Sequence, residues 1–506
     1  MSEQHRAPLF EALCRYVADE VTPFHVPGHK QGRVGDPEFT GFIGKNALSI
    51  DLTLMEELDN IASPRSVIME AEILAAETYQ ADYAFFLCNG TSSGIQAMII
   101  AACQPGDKIL VPRNAHKSVI SGIILSGAEP VYLKPEISDY LGIALGITRE
   151  SVEKALEEHP DITALFIINP TYYGMASDLQ AIVDLCHSRG IIVLVDEAHG
   201  AHFYFHEDMP LAAMHAGADL SALSTHKLTG SLTQSSLLLM KENDFLKPSR
   251  LKSVLNLMQT TSPSYILLAS LDAARRDMAV NGRRLVQNAL EQARWVRQEL
   301  STIPGLYAFG PDLVGKPGCY AHDTTKMSLS ARGLGISGYE VETILRKECL
   351  IQVELSDFYN VLALLAIGDD RQTATALVEA CRHVVSSYNQ RTLHNVDASM
   401  PEIPELVVSP RFAYYCETVP VPLEEAEGEI SAEMIMAYPP GIPILCPGER
   451  VSWEIIRYVQ SMREANLNLQ GTEDPEVNLI KVLRRNLSHV YARERRREGK
   501  RSYRAE

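Results

Sequence analysis

The feature that most constrains this chain is an alternation between about residues 66 and 223. Short, mostly apolar runs, several of them rich in Val, Ile and Leu, lie at 83–88, 108–111, 130–133, 164–169, 191–196 and 220–223. Between them, stretches at 66–80, 95–103, 115–126, 149–158 and 178–189 have helical periodicity. Strands that are apolar along their whole length cannot leave one face in water. They predict a mostly parallel sheet covered by helices on both faces. Ligands of such a sheet bind at the loops leaving the strands' C-terminal ends.

Five such strand ends carry polar residues. NGTSSG at 89–94 opens an apolar helix and sets Thr91 and Ser92 at its N-terminus, where free N–H groups attract phosphate. At 113–118, RNAHKS offers His116, which can stack on a flat ring or cap the next helix. NPTY follows at 169–172. At 196–200, DEAHG ends a strand in an acid, which is costly to bury unless paired. In a cofactor site its partner would be a protonated ring nitrogen. Last, ALSTHKLTGSLTQSS at 222–236 sets Lys227 among hydroxyls, beside His226 and three residues after Ser224. A lysine amine there can hold an aldehyde cofactor as a Schiff base, with Ser224 on its phosphate.

Composition narrows the classes. A chain of 506 residues is too long for a single core. Its net charge of −18 argues against nucleic acid. No uncharged apolar run approaches the roughly 20 residues of a membrane helix, and residues 1–16 hold no apolar signal core. Nine scattered cysteines, with no CxxC pair, suit a reduced compartment, so a cytoplasmic protein is expected. The locally basic stretch 493–504 reads as a solvated end.

Two patterns mislead. DEAH also occurs in helicases, but the only phosphate-loop-like string, GPDLVGK at 310–316, lies downstream and ends before Pro317. His199, His202 and His206 have ligand-like spacing, but HFYF reads as strand and would split the rings between two faces, so no metal is assigned. FHVPGHK at 24–30 is a turn that suits an anion or metal site and a packed structural turn equally.

Taken in order, FHVPGHK, NGTSSG, PRNAHKS, INPTYYG, VDEAHG, ALSTHKLTGSLTQSS, QTTSPSY, VELSDFYNVL and YPPGIPILCPGE resemble the Orn/Lys/Arg decarboxylase family of fold type I pyridoxal-phosphate enzymes. They run from Phe24 to Glu449. Only about 23 residues precede the first motif, whereas larger members carry a wing domain there. The chain therefore looks closer to short arginine decarboxylases, and away from a wing-mediated decamer. The resemblance implies an aspartate aminotransferase-like large domain, with Lys227 bonded to the coenzyme and Asp196 facing the pyridine nitrogen. His116 would stack on the ring and Ala198 would pack against it. Thr91, Ser92 and Ser224 would hold the phosphate, with His226 near it or near the bound amino acid. His199 takes a position where some relatives carry tryptophan.

The reaction implied is α-decarboxylation of a basic amino acid, with arginine ranked before lysine and ornithine. Glu449 is the candidate partner of the distal cation, and Glu354 and Asp357 are further candidates. Thr260 or Thr261 would arrive from a second subunit, since active sites of this fold class sit at a dimer interface. A homodimer or dimer of dimers follows. Expected segments are an arm at 1–60, a cofactor domain at 61–295, a small α+β domain at 296–390 and a C-terminal domain at 391–506. Aminotransferases, lyases and aldolases of the same fold would also use Lys227 and Asp196, and Arg346 could serve a second carboxylate. An inactive regulatory homologue is the alternative from another class; the joint presence of Lys227, Asp196 and His116 argues against it.

Overall fold

The computed structural model describes residues 3–387, 401–437, 442–464 and 468–484. The chain divides into two compact units, Met1–Ser399 and Met400–Glu506.

The first unit is built on seven strands: β1 (Tyr83–Leu87), β2 (Lys108–Pro112), β3 (Glu129–Leu133), β4 (Ile162–Ile168), β5 (Ile192–Asp196), β6 (Leu220–Leu223) and β7 (Ser236–Met240). Their order across the sheet is β1-β7-β6-β5-β4-β2-β3. From β6 to β3 every pairing is parallel; β7 runs antiparallel to both β6 and β1. Every residue of β5, β6 and β7 is buried, as unbroken apolar runs require when both faces are covered. The covering helices include α1 (Pro8–Ala18), α2 (Val67–Thr78), α3 (Gly90–Ala102), α4 (Lys117–Ser126), α5 (Arg149–Glu158), α6 (Leu179–Ser188), and the single turn α7 (Thr225–Leu228). Then come α8 (Pro248–Met258) and the 36-residue α9 (Tyr265–Leu300). The α/β class read from the sequence is the one observed.

Two local readings change. The helix expected from 95 begins at Gly90, so Thr91 and Ser92 lie in its first turn and not before it. Thr, Ser and Gly are poor helix formers, but Gly94 must be small: a Cβ there would sit 2.8 Å from Leu87 Cδ1. The HFYF stretch forms a 3-10 turn over Phe203–Phe205, not a strand. β7 and α9 follow the residues from which the alternation was read. α9 is held to α1 by a buried pair: Asp272 Oδ2 accepts from Leu9 N (3.0 Å), while Arg275 Nη2 donates to Asp272 Oδ1 (2.9 Å).

The last turns of α9 enter a second core. It joins Val296 and Leu300 to Met327 and Leu329, to Ile344 and Leu345, and to Leu377 and Val378. Its sheet comprises β8 (Tyr307–Phe309), β9 (Lys326–Ser330), β10 (Leu355–Ser356) and β11 (Asn360–Leu364), antiparallel in the order β8-β9-β11-β10. Helices α10 (Gly338–Lys347) and α11 (Arg371–Ser387) pack on it.

The second unit, by itself, pairs Thr418–Pro422 with Leu479–Leu483 and Ile435–Ala437 with Ile442–Leu445 and Leu469–Gln470. Its helix Trp453–Glu464 buries Ile455, Ile456 and Val459. The boundary expected at 391, the YPPG of the YPPGIP segment and the basic stretch 493–504 lie outside the described residues. No helix among the described residues is long and apolar enough to cross a membrane.

Glu197, passed over beside Asp196, is a keystone of the large domain. It is fully buried, and its carboxyl accepts from Tyr204 Oη (2.7 Å), Ala213 N (2.8 Å) and Ser221 Oγ (2.8 Å). Burial outweighs these donors and pushes its carboxyl up to about 8 from an ordinary 4.5. Between those values the folded state holds a proton that the unfolded chain has released. This contribution to stability is therefore complete below about 4.5 and is lost as pH rises through about 8. Denaturant unfolding from pH 4.5 to pH 8 should show that slope, and Glu197→Gln should flatten it; an unchanged slope in the variant would contradict the assignment.

Candidate active site

The strand ends of the sheet converge as parallel pairing dictates. Asp196 is the last residue of β5 and pairs in register with Ala222 on β6. Two residues on, Ser224 begins the turn α7, which carries His226 and Lys227. The acid and the amine therefore arrive from adjacent strands. Asp196 is 6% exposed, its Oδ1 accepts from Ala198 N (3.0 Å), and burial raises its carboxyl despite that bond and the nearby Lys227. Lys227 is half-buried; burial lowers its amine, opposed by Asp196 and Glu354.

A hydroxyl cluster closes the next corner. Thr91 Oγ1, in the first turn of α3, lies 2.5 Å from Ser224 Oγ and 2.9 Å from Ser236 Oγ. Ser92 is exposed in the same turn. These hydroxyls, with the N–H groups of a 13-residue helix, form a donor set suited to a phosphate. His226 directs Nδ1 to the Ser235 carbonyl (2.8 Å), which leaves Nε2 for other partners.

His116 is the N-cap of α4: its Nδ1 lies 3.2 Å from Ser118 N and 2.8 Å from Ser118 Oγ. The capping alternative is thus realised in the protein. Burial, then Lys227 and Lys117, push its imidazole down to about 4, so the ring is neutral near pH 7.

His199 is 5% exposed. Its Nε2 lies 2.9 Å from Lys227 Nζ and its Nδ1 2.7 Å from Lys326 Nζ. Tyr172, from the loop after β4, lays its ring 4.4 Å from the His199 ring and 5.7 Å from Lys227 Nζ, and its hydroxyl donates to Glu354 (3.3 Å). Sequence reading gave Tyr172 and Lys326 no role. Tyr172 sat in a flagged strand-end loop; Lys326 lies on β9 of the small sheet, so no spacing in the chain pointed to it.

Other candidates are placed less centrally. Thr260 and Thr261 are exposed between α8 and α9. Glu449 is fully buried within the second unit, its carboxylate accepting from Cys446 N (2.7 Å). Asp357 does not serve as a free acid: its carboxyl takes Tyr173 Oη, Asn360 Nδ2 (3.0 and 3.1 Å) and the N–H groups of Tyr359 (2.8 Å) and Asn360 (2.7 Å). His202 lies 3.2 Å from Asp323, and His206 2.6 Å from Gln287 Oε1. In the FHVPGHK turn, His25 meets Tyr16 (3.0 Å) and His29 meets Asp51 (3.0 Å).

Residues 7–373 match the family described as Orn/Lys/Arg decarboxylase, major domain, and residues 394–479 match its C-terminal domain. The chain belongs to the Orn/Lys/Arg decarboxylase family. Among its relatives are the arginine decarboxylases of Bacillus subtilis (strain 168), 47% identical over 95% of this chain and 98% of that one, and of Halalkalibacterium halodurans, 46% identical over 96% and 99%. The solved constitutive lysine decarboxylase of Escherichia coli shares the fold, with a TM-score of 0.81 at 24% identity, over 95% of this chain and 82% of that one. The architecture is that of fold type I enzymes.

The capping role of His116 is separable by substitution. His116→Ala should destabilise the coenzyme-free protein by about 1 kcal/mol in denaturant unfolding, and His116→Asn should restore most of the loss. Equal loss in both variants would place the stabilisation elsewhere.

Proposed function

We propose that the protein is a pyridoxal-phosphate-dependent decarboxylase converting L-arginine to agmatine and CO₂. The observation that carries this reading is the arrival of a buried acid and a partly buried lysine from adjacent strands, next to a hydroxyl-lined helix N-terminus. Asp196 is a carboxyl whose burial asks for a cation, and the protonated nitrogen of the pyridine ring would supply one. The near-full-length identity to proteins named arginine decarboxylase supports arginine over lysine or ornithine.

When bound, the coenzyme supplies an electron sink for the pair left at Cα as CO₂ departs. The remaining work falls to the chain. Lys227, with its proton affinity lowered by burial, would hold the coenzyme's aldehyde through its amine. Asp196 would face the ring nitrogen and hold a proton on it. His116 presents a neutral imidazole, which stacks without adding charge. Thr91, Ser92, Ser224 and the α3 N-terminus would hold the phosphate, with His226 beside them, and Ala198 would pack on the ring. Tyr172 and Glu354 form one side of the site, and Glu354 offers a carboxylate to the distal guanidinium. Thr260 or Thr261 of a second subunit would complete the site in a homodimer or dimer of dimers, in the cytoplasm.

Purified protein with pyridoxal phosphate should release CO₂ and agmatine from arginine and give little product from lysine or ornithine. Cadaverine or putrescine as the main product would reassign the substrate, and no product at all would leave an inactive homologue. Lys227→Ala should lose the visible absorption band of a lysine-bound coenzyme. Asp196→Ala should retain coenzyme yet lose most turnover; a near-normal rate would remove the electron-sink role.

A further inference from the structure

The His199 contacts impose a proton count. A neutral imidazole has one N–H donor and one acceptor nitrogen, and an ammonium only donates. His199 holds Lys227 Nζ at 2.9 Å on Nε2 and Lys326 Nζ at 2.7 Å on Nδ1. If both amines were ammonium, one would meet an N–H. One lysine is therefore a neutral amine accepting from the ring and the other donates to it, and the carboxylates around the pair favour that donor as an ammonium. An imidazolium would leave both amines neutral, but burial and the two lysines hold His199 well below its ordinary value.

Each of the two arrangements has its own carboxylate. Asp196 favours charge on Lys227, the fully buried Asp323 favours it on Lys326, and Glu354 acts on both. His202 and His116 also face His199, and Arg297 donates to the Lys326 carbonyl (3.1 Å). Lys326 has no exposed surface. Gly174, at φ +86°, lies over its stem so closely that a Cβ there would be 2.7 Å from Lys326 Cγ. The His199 imidazole is the hydrogen-bonded partner through which a proton on Lys326 Nζ can pass.

We propose that His199 and Lys326 are positioning residues that share one exchangeable proton with Lys227, passed between the two amines by a change of imidazole tautomer. A proton leaves Lys326 Nζ for His199 Nδ1, while the Nε2 proton goes to Lys227 Nζ. The ring ends neutral as the other tautomer, and one unit of charge has moved from Lys326 to Lys227. The reverse move leaves Lys227 as the neutral amine that attack on an aldehyde requires. A dry reservoir thus sets the protonation of the lysine without bulk water. This inference rests on Lys227 being the coenzyme-bearing residue and adds two residues to its control.

Competitive acetylation of the coenzyme-free full chain, read by peptide mass spectrometry across pH, gives the titration midpoint of Lys227. The midpoint should lie below that of the exposed Lys154 and rise by about one pH unit in Lys326→Met, a tenfold slower labelling near neutrality. His199→Phe should give the same rise, and the double variant no further rise. A Lys227 midpoint unchanged in a folded Lys326→Met protein would overturn the proposal. Should that variant not fold, ¹⁵N-histidine spectra of the wild type decide: the His199 ring should stay neutral while its two tautomers exchange weight as the lysines titrate. One fixed tautomer, or an imidazolium at neutral pH, would equally overturn it. These readouts need no turnover; a visible band retained in Lys227→Ala would instead sink the coenzyme assignment, whatever the midpoints show.

Discussion

A parallel sheet buried on both faces has no surface to spare for polar chemistry except its C-terminal edge. In this protein the constraint acts on β5 and β6, whose side chains are all buried until Asp196 and Ser224 end the apolar runs. Their parallel register sets Asp196 opposite Ala222, and the turn after β6 then brings Lys227 back toward the acid. The α3 N-terminus, the α4 cap and the loop bearing Tyr172 reach the same edge because their strands lie in the same sheet.

Charge is managed at this edge by excess of carboxylate over solvent. Asp196, Asp323 and Glu354 act on two lysines whose amines burial depresses, with Lys326 brought down to about 8. Histidines fill the gaps as neutral rings, His116 at about 4 and His199 well below its ordinary value. Neutral imidazoles make hydrogen bonds without another desolvated charge, which a site this dry could not hold cheaply. Glu197, one residue from Asp196, shows the other solution: three donors and a carboxyl that keeps its proton.

Local chemistry was legible where the chain itself carries the signal. Strand periods, the polar residues ending them and the lysine among hydroxyls are short-range patterns, and each lies where expected along the sheet. The helix start at Gly90 was misread because TSSG has loop composition, while close packing of Gly94 on Leu87 decides the conformation. HFYF was misread because aromatic residues favour strands in isolation, yet Tyr204 turns inward to bond Glu197. Asp357 looked like a free acid only because its partner Tyr173 stands 184 residues away in the chain.

The sequence by itself determined the layered class, the strand ends that matter and the family, because periodicity and ordered motifs survive without coordinates. Tertiary structure alone decided which side chains share a space. Lys326 belongs to the small sheet and His199 to the turn after β5 of the large one, and their 2.7 Å contact spans 127 residues. Packing between two cores brings them together, and that distance, not any spacing along the chain, fixes how many protons the pair of lysines can keep.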